Sequence, residues 1–283
     1  MAKMPLNVSK LREAWKEVSA TAGQSAGVVL AGDPRLVGLA QEQLASGGTL
    51  PATWVRPLAD LTGLASVPGE LLLVLVPAER EAEALSAVGD PAPGGGAIIA
   101  VEEGSSATGK TTRPCRRCTR LSFSDTPAGW KRLFEVCADV AGDHVVALGR
   151  RHPALRQAAA NRVIGRTSAQ NALVGLAFFI PGSDMPVMTL NQVKMVLSIA
   201  NLYGLQIDRE RAVEVAAIAG MGFGLRALAR YLLRSMPGIG PVIKAVAGYT
   251  ATMAMGHAAV RYFEQGAPAS TSQVVALAGV LRR

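Results

Sequence analysis

The sequence predicts two domains: an α/β domain built on a parallel sheet, then an all-α domain rich in glycine. Three observations lead there. In the first half, continuous apolar runs such as Leu71-Leu-Leu-Val-Leu-Val alternate with helical patterns, as central strands covered on both faces and their crossover helices do. Beyond about residue 149 the strand signal stops and long segments poor in charge take over, reaching 17 uncharged residues from Thr167 to Ser183. Charge divides at the same place. Residues 1–148 hold 14 Lys+Arg against 16 Asp+Glu, a net of −2. Residues 149–283 hold 15 against 5, a net of +10, and together these give the +8 of the chain.

The expected boundaries are therefore 1–148 for the α/β domain and 149–266 for the helical domain. A small-residue linker and a short C-terminal helix follow over 267–283. A chain of 283 residues that is 49% hydrophobic can fill two cores, but 5% aromatic content leaves little area per contact, so its helices must approach closely.

Taken in order, Val8, Leu11, Trp15 and Val18 recur at three- and four-residue steps and predict a helix over residues 7–20, read as a docking helix rather than a membrane anchor. Gly27-Val-Val-Leu-Ala-Gly is a short strand turning into a helix over residues 35–44, the opening of an α/β nucleotide-binding unit. Further strands are expected at Trp54-Val55, Leu71–Val76 and Ala97–Val101, with helices over residues 80–87 and 128–141. Leu121-Ser-Phe-Ser reads as strand-like, and Asp125 as a turn or capping residue.

The nucleotide equipment is incomplete. After Gly32 the chain reads Asp-Pro-Arg-Leu, with neither the lysine nor the hydroxyl of a phosphate loop, and Asp33 would repel a phosphate. Pro77-Ala78-Glu79-Arg80 and Glu102-Glu103-Gly104 stand where a magnesium switch and a guanine-reading motif would be. One stretch points the other way: Gly104-Ser-Ser-Ala-Thr-Gly109-Lys110-Thr111 has the phosphate-loop spacing after an apolar strand. Such a loop works by converging its amides with a helix N-terminus on the phosphates, and Pro114 interrupts the helix that would have to follow. A flexible basic loop is the favoured reading. A nucleotide hydrolase with Lys110 on phosphate and Thr111 on magnesium is the alternative.

Cys115-Arg-Arg-Cys118 has the spacing of half a zinc site or a redox pair, yet no thioredoxin-like frame surrounds it, and it reads as an incidental pair. With Cys137 the count is odd, and the polar start of the chain carries no secretory pattern, so a reducing cytoplasm is expected. Ser122, Ser124 and His144 lack a nucleophile elbow. No catalytic dyad, metal site or cofactor is predicted.

In the second half, a helix with Arg156, Arg162 and Arg166 leads into the run Thr167–Ile180, which lacks charge and is expected to be buried. Pro181-Gly182 ends it. Thr189 with Gln192 three residues on has the capping-box spacing for the next helix, which should close at Tyr203-Gly204. Gly220, Gly222 and Gly224, then Gly248 and Ala251, line small faces that suit close helix approach.

The segments IPGSDMP, TLNQVKMVLSIANLYG, AIAGMGFGLRALARYL and MPGIGPVIKAVAGYTATMAMGHAAV together resemble the bacterial domain-of-unknown-function family 697, the YcjF-like helical domain, over residues 150–266. That resemblance implies a helical domain following a GTPase-like or Rossmann-like one, here degenerate, and kinship with inner-membrane proteins. It implies no activity.

The residues themselves favour an anionic membrane surface over duplex DNA as partner of the basic, apolar half. Arg150, Arg151, Arg226, Arg230 and Lys244 are the expected lipid or anion contacts. The expected function is a non-catalytic, membrane-associated scaffold or regulatory protein on the cytoplasmic face of the membrane. An apolar protein partner or a homo-oligomer is also open. A soluble nucleic-acid binder using Arg150, Arg151, Arg156, Arg162 and Arg166 is the second alternative.

Overall fold

The structure, a computed structural model, describes residues 8–22, 26–45, 55–58, 61, 70–89, 96–103, 118–177, 185–205 and 240–266. Two compact units divide the chain: residues 23–162 form one, and residues 1–22 with 163–283 form the other.

The first unit carries a five-stranded, wholly parallel sheet. Its strands are β1 (Gly27–Gly32), β2 (Val55–Arg56), β3 (Glu70–Pro77), β4 (Gly96–Glu102) and β5 (Cys118–Phe123), in the spatial order β2-β1-β3-β4-β5. This is the flavodoxin-type order of a doubly wound sheet, with its topological switch between β1 and β3. In register, Leu30 lies beside Leu73 and Leu73 beside Ile98.

Helices α2 (Pro34–Leu44), α4 (Pro127–Val140) and α5 (Val145–Arg151) cover one face, and α3 (Glu81–Val88) the other. The period of two explains why the strands read as unbroken apolar runs. Leu71, Leu73 and Leu75 point to the first face and Leu72, Val74 and Val76 to the second, so both alternating sets are buried.

The expected boundary at residue 148 falls inside this unit. Ala147 and Leu148 of α5 and Leu155 in the turn after it belong to the core that packs on the sheet. Arg151 Nη1 also donates to the Ala26 carbonyl at the start of β1, at 3.0 Å.

The described part of the second unit consists of helices α1 (Val8–Ala22), the end of α6 (Arg156–Ala177), α7 (Met185–Leu202) and α8 (Gly240–Glu264). Helix α6 is continuous through both sequence segments expected there. Helix α1 docks on α7, burying Ala14 and Val18, and Lys194 Nζ pairs with Glu17 Oε2 at 2.5 Å. Helix α7 starts a turn earlier than the capping-box spacing predicts. Pro186 is tolerated near a helix start because its missing N–H would lack an intrahelical partner there anyway. Thr189 and Gln192 are consequently interior helical residues, 3% and 1% exposed. Gly204 ends the helix at φ 72°, the positive-φ stop that the sequence predicts. The expected glycine-rich helix around residues 216–229 lies outside the described residues.

Glycines set how closely α8 approaches α6. A Cβ at Gly248 would lie 3.1 Å from the Asn171 carbonyl oxygen, and one at Gly256 would lie 2.5 Å from Ile164 Cγ1. These two contacts also fix the register: α8 runs antiparallel to α6, Gly248 beside Asn171 and Gly256 beside Ile164.

Candidate functional site

In doubly wound sheets, ligands bind outside the carboxyl ends of the strands at the switch point, here where β1 and β3 end. In this chain that place is occupied by the protein's own groups. Gly32 has φ 125°, and a Cβ there would lie 2.0 Å from the Leu75 carbonyl oxygen, so the β1–α2 turn runs directly against β3. Asp33 N–H then donates to that carbonyl at 2.8 Å. The Asp33 carboxylate caps α2, with Oδ1 accepting from the Arg35 amide at 3.0 Å and the Leu36 amide at 3.4 Å. Those amides are the donors a phosphate at this helix N-terminus would need.

The surrounding charges are paired with one another. Arg35 Nη2 meets Glu102 Oε2 at the end of β4 at 2.5 Å, and the Arg35 pKa is raised, chiefly by its hydrogen bond to Glu102. Arg80, just after β3, makes a two-pronged contact with Glu83, both bonds at 2.9 Å. That contact raises the arginine and lowers the carboxyl, in each case mainly through the hydrogen bond. After β5, Thr126 caps α4 by accepting the Gly129 amide at 3.1 Å. Asp125 is not the cap; its Oδ1 accepts the Trp130 indole N–H at 2.7 Å.

Of the alternative nucleotide residues, Gly104, Gly109, Lys110 and Thr111 lie outside the described residues. So do Arg226 and Arg230, and the Lys244 side chain, although its backbone belongs to α8. Arg150 is exposed in the last turn of α5, while Arg151 ties α5 to β1. Cys118 is disulfide-bonded through a partner outside the described residues, and Cys137 is a buried free thiol. Among the described residues no group of His, Cys, Asp and Glu could hold a metal ion.

The helical unit holds a different arrangement, which the sequence reading missed. At its centre, Thr252 of α8 is saturated. Its hydroxyl donates to the Gly248 carbonyl at 2.6 Å and accepts from Asn171 Nδ2 of α6 and Gln192 Nε2 of α7, both at 2.9 Å. Asn171 Oδ1 in turn accepts from Asn191 Nδ2 at 3.0 Å. Ser168 Oγ and Gln192 Oε1 are buried beside this network with no protein partner among the described residues.

The network sits within an otherwise apolar core that includes Ile164, Val196, Ile199 and Val260, and the same unit exposes several large apolar side chains. Leu173 is 64% exposed, Val242 60% and Val246 57%, with Leu176, Val187 and Tyr249 also exposed. Every exposed large hydrophobic residue among the described residues is in this unit. So are six of the eight buried polar or charged ones: Thr167, Ser168, Asn171, Thr189, Gln192 and Thr252. The expectation that Thr167–Ile180 is buried is thus corrected for Leu173 and Leu176, because the polar residues take the inward side of α6. At about 100° per residue, Leu173 and Leu176 stand about 200° and 140° around the helix from Asn171. That phase relationship was the available signal. None of the described helices is long and apolar enough to cross a membrane.

Comparison of the chain with family models, with curated proteins and with solved structures finds no match in any of the three.

Proposed function

We propose that this protein is a non-catalytic scaffold or regulatory protein that works on a membrane, held at the cytoplasmic face by its helical unit. The observation that carries this reading is the set of large apolar side chains, Leu173, Leu176, Val187, Val242, Val246 and Tyr249, exposed on a unit whose core also holds a hydrogen-bonded network of Asn, Gln and Thr. In water such a surface is unfavourable, by about 25 cal/mol for each Å² of apolar area left wet. In an apolar medium, small residues and interhelical hydrogen bonds are what hold helices together. The +10 net charge of residues 149–283 favours an anionic leaflet.

The finer assignments belong to the same proposal. The second unit is an all-α domain of the family-697 type, and the first is a nucleotide-binding-like unit whose ligand crevice has been given over to Asp33 and its neighbours. Its GTPase-like kinship rests on the parallel layered architecture alone.

Flotation of the full chain with vesicles tests the proposal. Co-migration with phosphatidylglycerol-containing vesicles, retained after a high-salt wash, is the expected result. A chain that stays at the bottom of the gradient with both neutral and anionic vesicles would refute membrane association.

A further inference from the structure

We infer that the centre of the helical unit is a binding site for one internal water molecule, held between Ser168 Oγ of α6 and Gln192 Oε1 of α7. Two helix registers bring these atoms to one level. Helix α8 runs antiparallel to α6, with Gly248 beside Asn171 and Gly256 beside Ile164, so Thr252, midway between the glycines, stands level with residues 167–168. Helix α7 runs parallel to α8: Gln192 bonds Thr252 and Tyr203 bonds Glu264, partners 60 and 61 residues apart. Ser168, Gln192 and Thr252 therefore share a level, about 4.5 Å along α6 from Asn171. The Asn171 side chain reaches both α7 and α8. Ser168, about 60° around the helix from it, faces the same junction.

Both holding residues are enclosed, Ser168 at 0% exposure and Gln192 at 1%. Neither Ser168 Oγ nor Gln192 Oε1 has a protein partner among the described residues. A helical hydroxyl can satisfy itself on the carbonyl four residues back, as Thr250 and Thr252 do on Val246 and Gly248. Ser168 does not. The direction of the Gln192 amide is fixed by its neighbour's chemistry. Thr252 gives its only proton to the Gly248 carbonyl and can only accept from Gln192, which turns Nε2 toward Thr252 and Oε1 away from it. A buried hydroxyl and a buried amide oxygen without partners both oppose folding. Level with each other yet not bonded, they are a pair that one bridging water serves.

The lining selects water over other small occupants. Among the described residues the buried carboxylate and imidazole, Glu81 and His152, belong to the other unit, so the groups here are neutral. Two neutral oxygens fall well short of the roughly six or more that a hard cation takes. An apolar guest would leave both groups stranded. Water donates to Gln192 Oε1 with one O–H and bonds Ser168 Oγ with the other, and two polar partners are enough to hold it. It extends the Thr252–Asn171–Asn191 network to Ser168 and adds a bond between α6 and α7.

Magnetic relaxation dispersion of isotopically labelled water oxygen, measured on the full chain, tests this because it counts waters that stay bound through the tumbling of the protein. Ser168→Ala removes one of the two holding groups and should lower the amplitude by that of one water. Equal amplitudes in the variant and the unmodified chain overturn the inference. A crystal structure of the unmodified chain supplies a second reading that does not depend on the variant folding. Water density about 3 Å from both Ser168 Oγ and Gln192 Oε1 is expected. A direct Ser168–Gln192 hydrogen bond, or no density between them, overturns the site. An anomalous peak there after exchange of sodium for rubidium would make the occupant a cation and overturn the water assignment.

Discussion

Thr252 accepts the Asn171 carboxamide N–H at 2.9 Å across the α6–α8 interface, and neither residue is exposed. Because the hydroxyl also serves Gln192, its removal leaves Gln192 Nε2 without its acceptor and Asn171 Nδ2 with the longer bond to the Met188 carbonyl, at 3.4 Å. Thr252→Val, which keeps the shape, should lower stability by about 2 kcal/mol, since a stranded buried group costs roughly 1–3 kcal/mol. Thr252→Ser, which keeps the hydroxyl, should lose about 1 kcal/mol or less. Denaturant midpoints of the two variants measure this, and equal stability would mean the network contributes nothing.

Gly32 is a steric requirement. At φ 125° with the Leu75 carbonyl 2.0 Å from a would-be Cβ, Gly32→Ala forces β1 away from β3 at the sheet's centre. The expected loss exceeds about 2 kcal/mol, combining positive-φ strain with displaced backbone. Thermal unfolding read through the Trp130 region would reveal it. Gly38→Ala is the control, since nothing lies within 4 Å of its added methyl group.

Burial, and secondarily the neighbouring Arg151 charge, push the His152 pKa down from 6.5 to about 4. A depressed histidine is neutral in the folded chain, while the unfolded chain takes up a proton below about 6.5, so acid favours unfolding. Stability should be fully present above about pH 6.5 and fall steadily to about pH 4, by up to roughly 3 kcal/mol in total. His152→Gln should flatten that slope. An unchanged pH profile in the variant would assign the acid sensitivity elsewhere.

Burial alone drives the Cys137 thiol up to about 12, so at pH 8 it has almost no thiolate. Iodoacetamide should leave it unmodified in the native protein and alkylate it readily in denaturant. Peptide mass mapping of Cys137 distinguishes these outcomes, and rapid native alkylation would contradict the packing around α4.

The strands were legible because nothing interrupts them. Leu71–Val76 is apolar at every position and can only be covered on both sides, and the structure extends it by just one residue at each end. Gly204 was legible for a similarly local reason, a backbone conformation few other residues adopt. The helical unit was harder to read because its signals are relational. Gln192 fits a capping box by spacing, but its amide is buried against a hydroxyl 60 residues away. Leu173 looked like core because it stands in an uncharged run, and only the helical phase of Asn171 and Ser168 shows which side faces inward. At the carboxyl end of β1, the sequence excluded a phosphate loop after Gly32 from the residues missing there. That Asp33 occupies the α2 amides in its place depends on a turn geometry set by contact with Leu75.

Helix α1 belongs with the C-terminal helices, so the unit spanning residues 23–162 is an insertion within the other one. During synthesis the inserted unit is complete once Arg162 has emerged, with all its residues already made. Helix α1, made first, has to wait for α7, more than 160 residues later, before Val18 and Glu17 find their places. Its docking therefore closes a loop of more than 160 residues and should be a late, slow step of folding. Until then an amphipathic segment stands without a partner, and any delay beyond Leu202 would lengthen the time for which it is open to chaperones or proteases.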